Sequence, residues 1–424
     1  MKRIALSACC FAALSLCSVA FAQGTKKPEA PAAAEPGALE LSLEQALRLA
    51  RQSSPTALAT PLRIKEAEAA RVEANIYPRY NPLLEVEVGP RLIETNPESV
   101  FFSVGLSQNL DLGGGVGARQ RRVDAQVEAA LGDGDAAIQQ TQRAVALAFL
   151  RGLWAEQRAA LAGESEGIAK AALDATKKRL DAGDATALEL NVARGGFARA
   201  VADRTGADAT LEATKGELRA LLGLPSSTSI DLLGSLAAPL AIDLPALRKA
   251  AQGRGDLRAL AADLAVAEAE DDLADALAAP QMSLGARYEL EDKVQHTILG
   301  TLTMTLPIFD HAQGLAAQAE AKAARAKTEL DAKKTQVATE VETAAKVAAK
   351  RADAANAFAA EKGAESFEEN LALAIKGYQA GETSLADLLL VRRELVETEG
   401  ARIDRLLELR SSEVELLYAA GMLP

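Results

Sequence analysis

The chain of 424 residues has three cysteines, two histidines, four methionines and one tryptophan, and each scarcity narrows the chemistry open to it. Cys9, Cys10 and Cys17 all lie near the N-terminus, so everything downstream lacks disulfides and thiolate ligands. His296 and His311 have no Cys or His neighbour at metal-ligand spacing, and neither a metal site nor a cofactor is expected. With 59 Asp+Glu against 47 Lys+Arg the net charge is −12, which repels phosphates and excludes nucleic acid as a partner. The short basic cluster Arg119, Arg121 and Arg122 reads as a solvated helix face. Aromatics make up only 4% of the chain, a level that suits long packed helices better than a bulky globular core. Carboxylates are plentiful but form no acid–base or nucleophilic constellation, so the chain is not expected to be an enzyme. Gly113-Gly-Gly-Val-Gly-Ala118 formally fits a dinucleotide fingerprint, yet no parallel strand follows within about 30 residues.

What is present begins with a leader. Lys2 and Arg3 precede an apolar run from Ile4 to Phe21, and Ala20-Phe21-Ala22 supplies the small residues that signal peptidase accepts. Residues 1–22 therefore read as a signal peptide, whose loss takes the net charge to −14. Leu6-Ser7-Ala8-Cys9 also fits a lipobox, but that reading leaves a very short apolar region. Residues 23–40, rich in Pro and Ala, read as a flexible entry segment. No later stretch has eighteen consecutive apolar residues, so any membrane crossing must be made by strands.

Two segments repeat. Arg179-Leu-Asp-Ala-Gly183-Asp-Ala-Thr-Ala-Leu-Glu189 and Gly377-Tyr-Gln-Ala-Gly381-Glu-Thr-Ser-Leu-Ala-Asp387 stand 198 residues apart. Pro82 and Pro280, Arg194 and Arg392, Leu110 and Ile308, and Gly223 and Gly421 keep the same offset. Ala46-Leu47-Arg48 matches Ala246-Leu247-Arg248 at an offset of 200, a difference of two residues that is absorbed before the prolines. The chain thus reads as one unit written twice, at 41–225 and 246–424, joined by a linker at 226–245.

Each unit has the same internal order. A helical segment, Leu43 to about Ile76 or Ala246 to about Ala278, ends before a proline, and the apolar period then shifts from 3.6 to 2. Strands are expected at about 83–92 and 100–110 in the first unit and at about 281–291 and 296–306 in the second. Leu84, Val86 and Val88 oppose Glu85 and Glu87, while Ile298, Leu302 and Met304 oppose a face made largely of threonine. Strands of this length span a bilayer when tilted, with one face for lipid and one for water. Tyr77, Tyr80, Phe101, Phe102, Tyr288 and Phe309 gather in or beside these hairpins, as interfacial aromatics do. Four strands cannot close a barrel, and an open edge in lipid leaves backbone groups unsatisfied, so the chain is expected to associate with copies of itself.

After each hairpin comes a long helical stretch, from about Gly113 to Asp181 and from about His311 to Gln379, some 100 Å each if unbroken. Gly113, Gly114 and Pro307 mark the strand-to-helix transitions, and Gly183 and Gly381 the turns into return helices ending near Leu222 and Ala420. Apolar positions between Leu371 and Leu409 recur at steps of three and four, as in coiled-coil hairpins.

In this order the chain resembles the TolC-like outer membrane efflux proteins. The resemblance runs from about Leu41 to Leu423. It rests on Asn81-Pro82-Leu83-Leu84, on Ser107-Gln108-Asn109-Leu110-Asp111-Leu112-Gly113-Gly114, on Leu306-Pro307-Ile308-Phe309-Asp310 and on Tyr378-Gln379-Ala380-Gly381 followed by Asp387-Leu388-Leu389. It implies a mainly α fold with a membrane β-barrel part, in which a homotrimer gives four strands per chain to a twelve-stranded barrel over a helical periplasmic tunnel. It implies a passive outer membrane exit duct that docks a periplasmic membrane fusion protein and an inner membrane transporter of the RND type, exporting metal ions or small toxic compounds. A type I secretion duct for polypeptides and a non-pore periplasmic scaffold are the competing readings. By resemblance the periplasmic gate falls at Tyr378, with acids one turn beyond each tip at Glu189 and Asp387. A Tyr378–Glu189 hydrogen bond would lock the helices, and a ring of Asp387 carboxylates would favour cations. Thr383 replaces the tip arginine of the family pattern, and Leu390 its second aspartate.

Overall fold

A computed structural model of the chain describes residues 39–93, 96–240, 242–291, 294–360, 372–378 and 380–423. The expected leader, most of the 23–40 segment, Gln379 and part of the second long helix lie outside these residues. Strand β1 (Leu39–Ser42) leads directly into α1 (Leu43–Ser53) through a capping box, in which Ser42 Oγ accepts from Gln45 N and Gln45 Oε1 accepts from Ser42 N. The single helix expected up to Ile76 is broken at Ser54, because Pro55 cannot continue it; Ser54 turns extended and caps α2 (Pro55–Ala74). In the second unit the same interruption separates α5 (Leu244–Ala250) and a 3₁₀ turn from α6 (Gly255–Ala278).

Between these segments lie the strands. β2 (Leu83–Ile93) and β3 (Asn96–Leu110) form one antiparallel hairpin, β5 (Gln281–Glu291) and β6 (Gln295–Thr305) another, and the sheet order is β2-β3-β5-β6. β3 starts four residues earlier than expected and β6 one residue earlier. The hairpins share one register: Leu84 faces Leu106 and, 198 residues on, Met282 faces Met304, just as Val86–Val104 becomes Leu284–Leu302. His296 lies within β6, and the Tyr288 hydroxyl meets its Nδ1 at 2.6 Å.

Helix α3 (Gly115–Asp181) is 67 residues long, and its return partner α4 (Ala187–Leu222) packs along it. In the second unit α7 (Gln313–Ala360) and helical residues 372–378 lead to the return helix α8 (Leu385–Ala419). The turn signals repeat in their dihedrals. Gly183 and Gly381 have φ of 85° and 81°, Gly223 and Gly421 69° and 68°, each in the left-handed region that glycine enters without a Cβ clash. The transition into α3 uses Gly114 at φ 75°, whereas its counterpart Ala312 holds φ 63° as an alanine. There the turn is braced instead by Asp310 Oδ1, which accepts from Ala312 N at 3.0 Å, and by Gln313 Oε1, which accepts from His311 N at 2.9 Å.

The segments expected to be flexible or linking are partly built into the core. Leu39 and Glu40 belong to β1, and within 226–245 a strand β4 (Ile230–Leu233) pairs with β1 in parallel. Arg410 on α8 then donates to the carbonyls of Leu236 and Ala237, at 2.8 and 3.2 Å. Leu47, Phe149, Leu218, Leu222, Ile230 and Leu236 bury themselves around this strand pair. β4 was not legible because four residues, Ile-Asp-Leu-Leu, carry too little alternation to stand out from a linker. Arg119 also corrects the sequence reading. It is 6% exposed, not solvated, and donates from Nη1 to Asp111 at 3.3 Å, whereas Arg121 reaches Asp272 at the surface.

Candidate functional site

Two places combine exposure, charge and burial in ways the fold alone does not require. The first is the four-stranded sheet. One face carries Leu84, Val86, Val88, Leu106, Leu284, Ile298, Leu302 and Met304, all exposed. Residues whose numbers differ by two share a face, so Glu85, Glu87, Ser103, Arg287 and the threonines of β6 fall opposite. Arg287 Nη2 reaches Glu85 Oε2 at 2.8 Å, with Gly105 between them on β3. The Arg287 side chain crosses where Gly105 has no side chain: a methyl there would meet its Cγ and Nε at 3.7 Å. Ser103 Oγ donates to Glu87 Oε2 at 3.1 Å. At the helical end of the sheet stand Tyr77, Tyr80, Leu112, Ile308 and Phe309, the last 91% exposed. An apolar face bounded by amphipathic aromatics is the pattern of a surface that meets lipid. Among the described residues no helix is long and apolar enough to cross a membrane.

The second place is the pair of helix-hairpin tips. Both turns close identically: Gly183 N donates to Leu180 O and Asp184 N to Arg179 O, while Gly381 N donates to Tyr378 O and Glu382 N to Gly377 O. Both return helices start with a capping box. Thr186 Oγ1 accepts from Glu189 N, and Glu189 Oε2 accepts from Thr186 N at 2.6 Å; Ser384 and Asp387 repeat this, the carboxylate accepting from Ser384 Oγ at 2.7 Å. The Thr186 backbone N–H, then its hydroxyl, hold the Glu189 carboxyl below its ordinary range. Thr383 packs over Gly377 and donates to Ala374 O at 3.2 Å.

Tyr378 differs from everything else at the tips. It is 1% exposed, and its hydroxyl pairs at 2.6 Å with Thr176 Oγ1 on α3, itself completely buried. Thr176 Oγ1 also donates to Ala172 O at 2.8 Å, which leaves the tyrosine as donor to the threonine. Arg179 stacks its guanidinium 5.0 Å from the tyrosine ring centroid and donates to Asp184 O at 3.2 Å. The expected Tyr378–Glu189 bond is therefore absent. Glu189 is committed to its own helix start, and the structure brings Tyr378 together with Thr176 and Arg179, neither of which the sequence reading singled out. A signal was present in hindsight: Thr176 and Arg179 lie one turn apart on the helix that ends at Gly183, a spacing that puts both side chains on one face.

A two-faced, open-edged sheet continuing into paired long helices defines the class of proteins that meet a membrane through strands and extend from it as helical hairpins. The family model for outer membrane efflux proteins matches this chain twice, over residues 46–224 and 246–422. The chain belongs to that family, whose members are passive conduits in the outer membrane of Gram-negative bacteria and not enzymes. Its fold is similar to that of the outer-membrane channel OprN, with a TM-score of 0.73, 20% identity and 90% of each chain covered. It is similar to VceC of Vibrio cholerae, with a TM-score of 0.72, 18% identity and 89% of this chain and 96% of that one covered. It is also similar to the MtrE outer membrane channel of Neisseria gonorrhoeae in an open state, with a TM-score of 0.66, 19% identity and 89% and 88% covered. Among curated proteins, none matches the sequence.

Proposed function

We propose that the protein is the homotrimeric outer membrane duct of a tripartite efflux system. In this reading it receives metal ions or small toxic compounds from an inner membrane transporter of the RND type through a periplasmic adaptor, and energy comes from that transporter. The observation that carries the proposal is the sheet. Its exposed apolar face demands lipid, its charged face demands water, and its two unpaired edges demand further strands. In lipid each unsatisfied backbone group costs several kcal/mol, which a lone four-stranded sheet cannot offset.

The gate in this proposal is the tip of the second hairpin. Tyr378, held by Thr176 and stacked by Arg179, ties that tip to the end of α3, with Thr383 shaping the turn. Glu189 and Asp387 secure the return helices, and three Asp387 carboxylates, one per copy, add a negative ring that favours cations. Gly183 and Gly381 set the turns, and Gly113, Gly114 and Pro307 the entry into the helices.

The test is extraction and reconstitution. The purified chain should require detergent, run as a trimer and give conductance steps in a planar bilayer. A soluble monomer without conductance would instead mark a periplasmic scaffold. Growth of the deletion strain on a panel of metal salts and drugs then reads the cargo.

A further inference from the structure

The start of α3 carries a buried charge that neither the sheet nor the hairpin tips use. Arg119 is 6% exposed, and its Nη1 donates to Asp111 Oδ2 at 3.3 Å. Among the described residues, its Nε and Nη2 are buried and meet no acceptor. Donors taken out of water without a partner are costly, and those of a guanidinium more so than neutral ones. Arg119 lines a cavity of about 30 Å³ between the first turn of α3 and the last turn of α6. Asp111, Gly113, Gly115 and Leu277 line it as well, together with the exposed Arg79 and Tyr80.

We infer that this cavity binds a chloride-sized halide anion, with Arg119 Nε and Nη2 as its donors. The volume admits a monatomic ion and is too tight for a phosphate or a sulfate. Charge-assisted bonds from a guanidinium to an anion are stronger than bonds between neutral groups, so an ion there offsets the burial of both nitrogens. The inference stands apart from the channel reading, since it concerns the joint between strand and helix whatever passes through the molecule.

The charges around the cavity favour an anion over water. Two guanidinium groups, Arg79 and Arg119, line it, and so does Gly115 at the start of α3. That helix has no side-chain cap at Gly114 and no acid in its first turn, so its positive end is left for another group to meet. Asp111 offsets one charge: a Cβ at Gly115 would lie 2.9 Å from Asp111 Oδ2 and 3.1 Å from Arg119 Nη1, so glycine there leaves room for both groups. The last turn of α6 borders the cavity too, but its carbonyls take no hydrogen bond from Arg119 Nε or Nη2. The second unit is an internal control. At an offset of 198 it has Ala317 for Arg119, Phe309 for Asp111 and Gln313 for Gly115, and Asp310 and Gln313 take up the backbone donors of its turn.

Bromide and chloride test the site. Purified wild-type protein crystallised in sodium bromide is expected to show an anomalous peak in contact with Arg119 Nε or Nη2. In solution, replacing gluconate by chloride at fixed ionic strength is expected to raise the melting temperature to a plateau, since surface screening stays constant while the bound ion stabilises the folded chain. Arg119→Gln should lose both the peak and the chloride dependence. Arg79→Gln, an exposed change, should keep the peak and need several-fold more chloride for half the rise. No bromide at Arg119 overturns the inference, whether water fills the cavity or bromide lies only on the surface. Bromide at Arg119 with a melting temperature indifferent to chloride marks an adventitious ion only and overturns it as well. So does a peak that persists in Arg119→Gln. Should Arg119→Gln fail to fold, the wild-type peak, the chloride titration and the Arg79→Gln shift still decide.

Discussion

The two units of this chain have nearly the same backbone and different chemistry. Three pairs of left-handed residues, 114 and 312, 183 and 381, 223 and 421, stand 198 apart, and both capping boxes and both hairpin registers repeat. Yet Tyr378, Thr176 and Arg179, which join the two tips, correspond to Leu180, Ala374 and Gly377 in the opposite unit. Duplication preserves what the backbone needs for turning and pairing. It leaves side chains free to diverge, and the contacts that tie one unit to the other are made where they have diverged.

Substituting diverged residues tests this contrast. The largest effect is expected at Gly132, whose counterpart is Leu330. A methyl at Gly132 would lie 2.5 Å from Ala259 N and 2.7 Å from Gly255 O, where α3 and α6 touch backbone to backbone. Gly132→Val should destabilise the fold by about 1–3 kcal/mol or more in thermal melts, because neither backbone can yield as a side chain would. An unchanged melting temperature would mean that the two helices are not in close contact.

Next comes the tip. Thr176→Val leaves the buried Tyr378 hydroxyl without its acceptor and should cost about 1–3 kcal/mol at the lock, raising spontaneous conductance or antibiotic leak. Tyr378→Phe should raise leak as well, and a double-mutant cycle with Thr176→Val should show coupling. Glu189→Ala should add nothing to Tyr378→Phe, since the two side chains do not meet; a further rise in leak from the pair would restore Glu189 to the lock.

A smaller effect, of opposite sign, is expected at Ala312. This residue occupies the conformation that Gly114 takes without strain, so Ala312→Gly should stabilise the chain by about 1 kcal/mol, read by thermal melting. The smallest is at Asp263, whose counterpart is Arg63. Burial first, then the charges of Asp133 and Glu329, raise its carboxyl above the ordinary range, against the pull of Arg325. The folded state therefore favours the neutral acid, and its contribution is present below the ordinary carboxylate pKa and lost as pH rises through the raised value. Asp263→Asn should be slightly stabilising at pH 7 and neutral near pH 3, in paired melts at low salt.

The fold was largely legible because its signals are periodic or punctuated. Alternation at Leu84–Val88 and Ile298–Met304 fixed the strands to within a few residues, and glycines at 183, 223, 381 and 421 marked the turns. The site was less legible. The family resemblance points to Tyr378 and offers Glu189 as its partner, but Tyr378 meets Thr176 and Glu189 satisfies its own helix start. Arg119 went astray for the same reason: a charged residue on a helix gives no sign of the side on which another element will cover it.

By itself the sequence determined the duplication, the change from helical to strand period in each unit, the two-faced sheet and the positions of the turns. These depend on local sterics and on the spacing of apolar residues along one segment. The tertiary structure alone decided that β1 and β4 pair, that α3 meets α6 through bare backbone, that Arg287 crosses Gly105 to Glu85, and that Tyr378 closes on Thr176. Each of these contacts joins residues from far apart in the chain. Their energy depends on burial and distance, which local patterns do not encode.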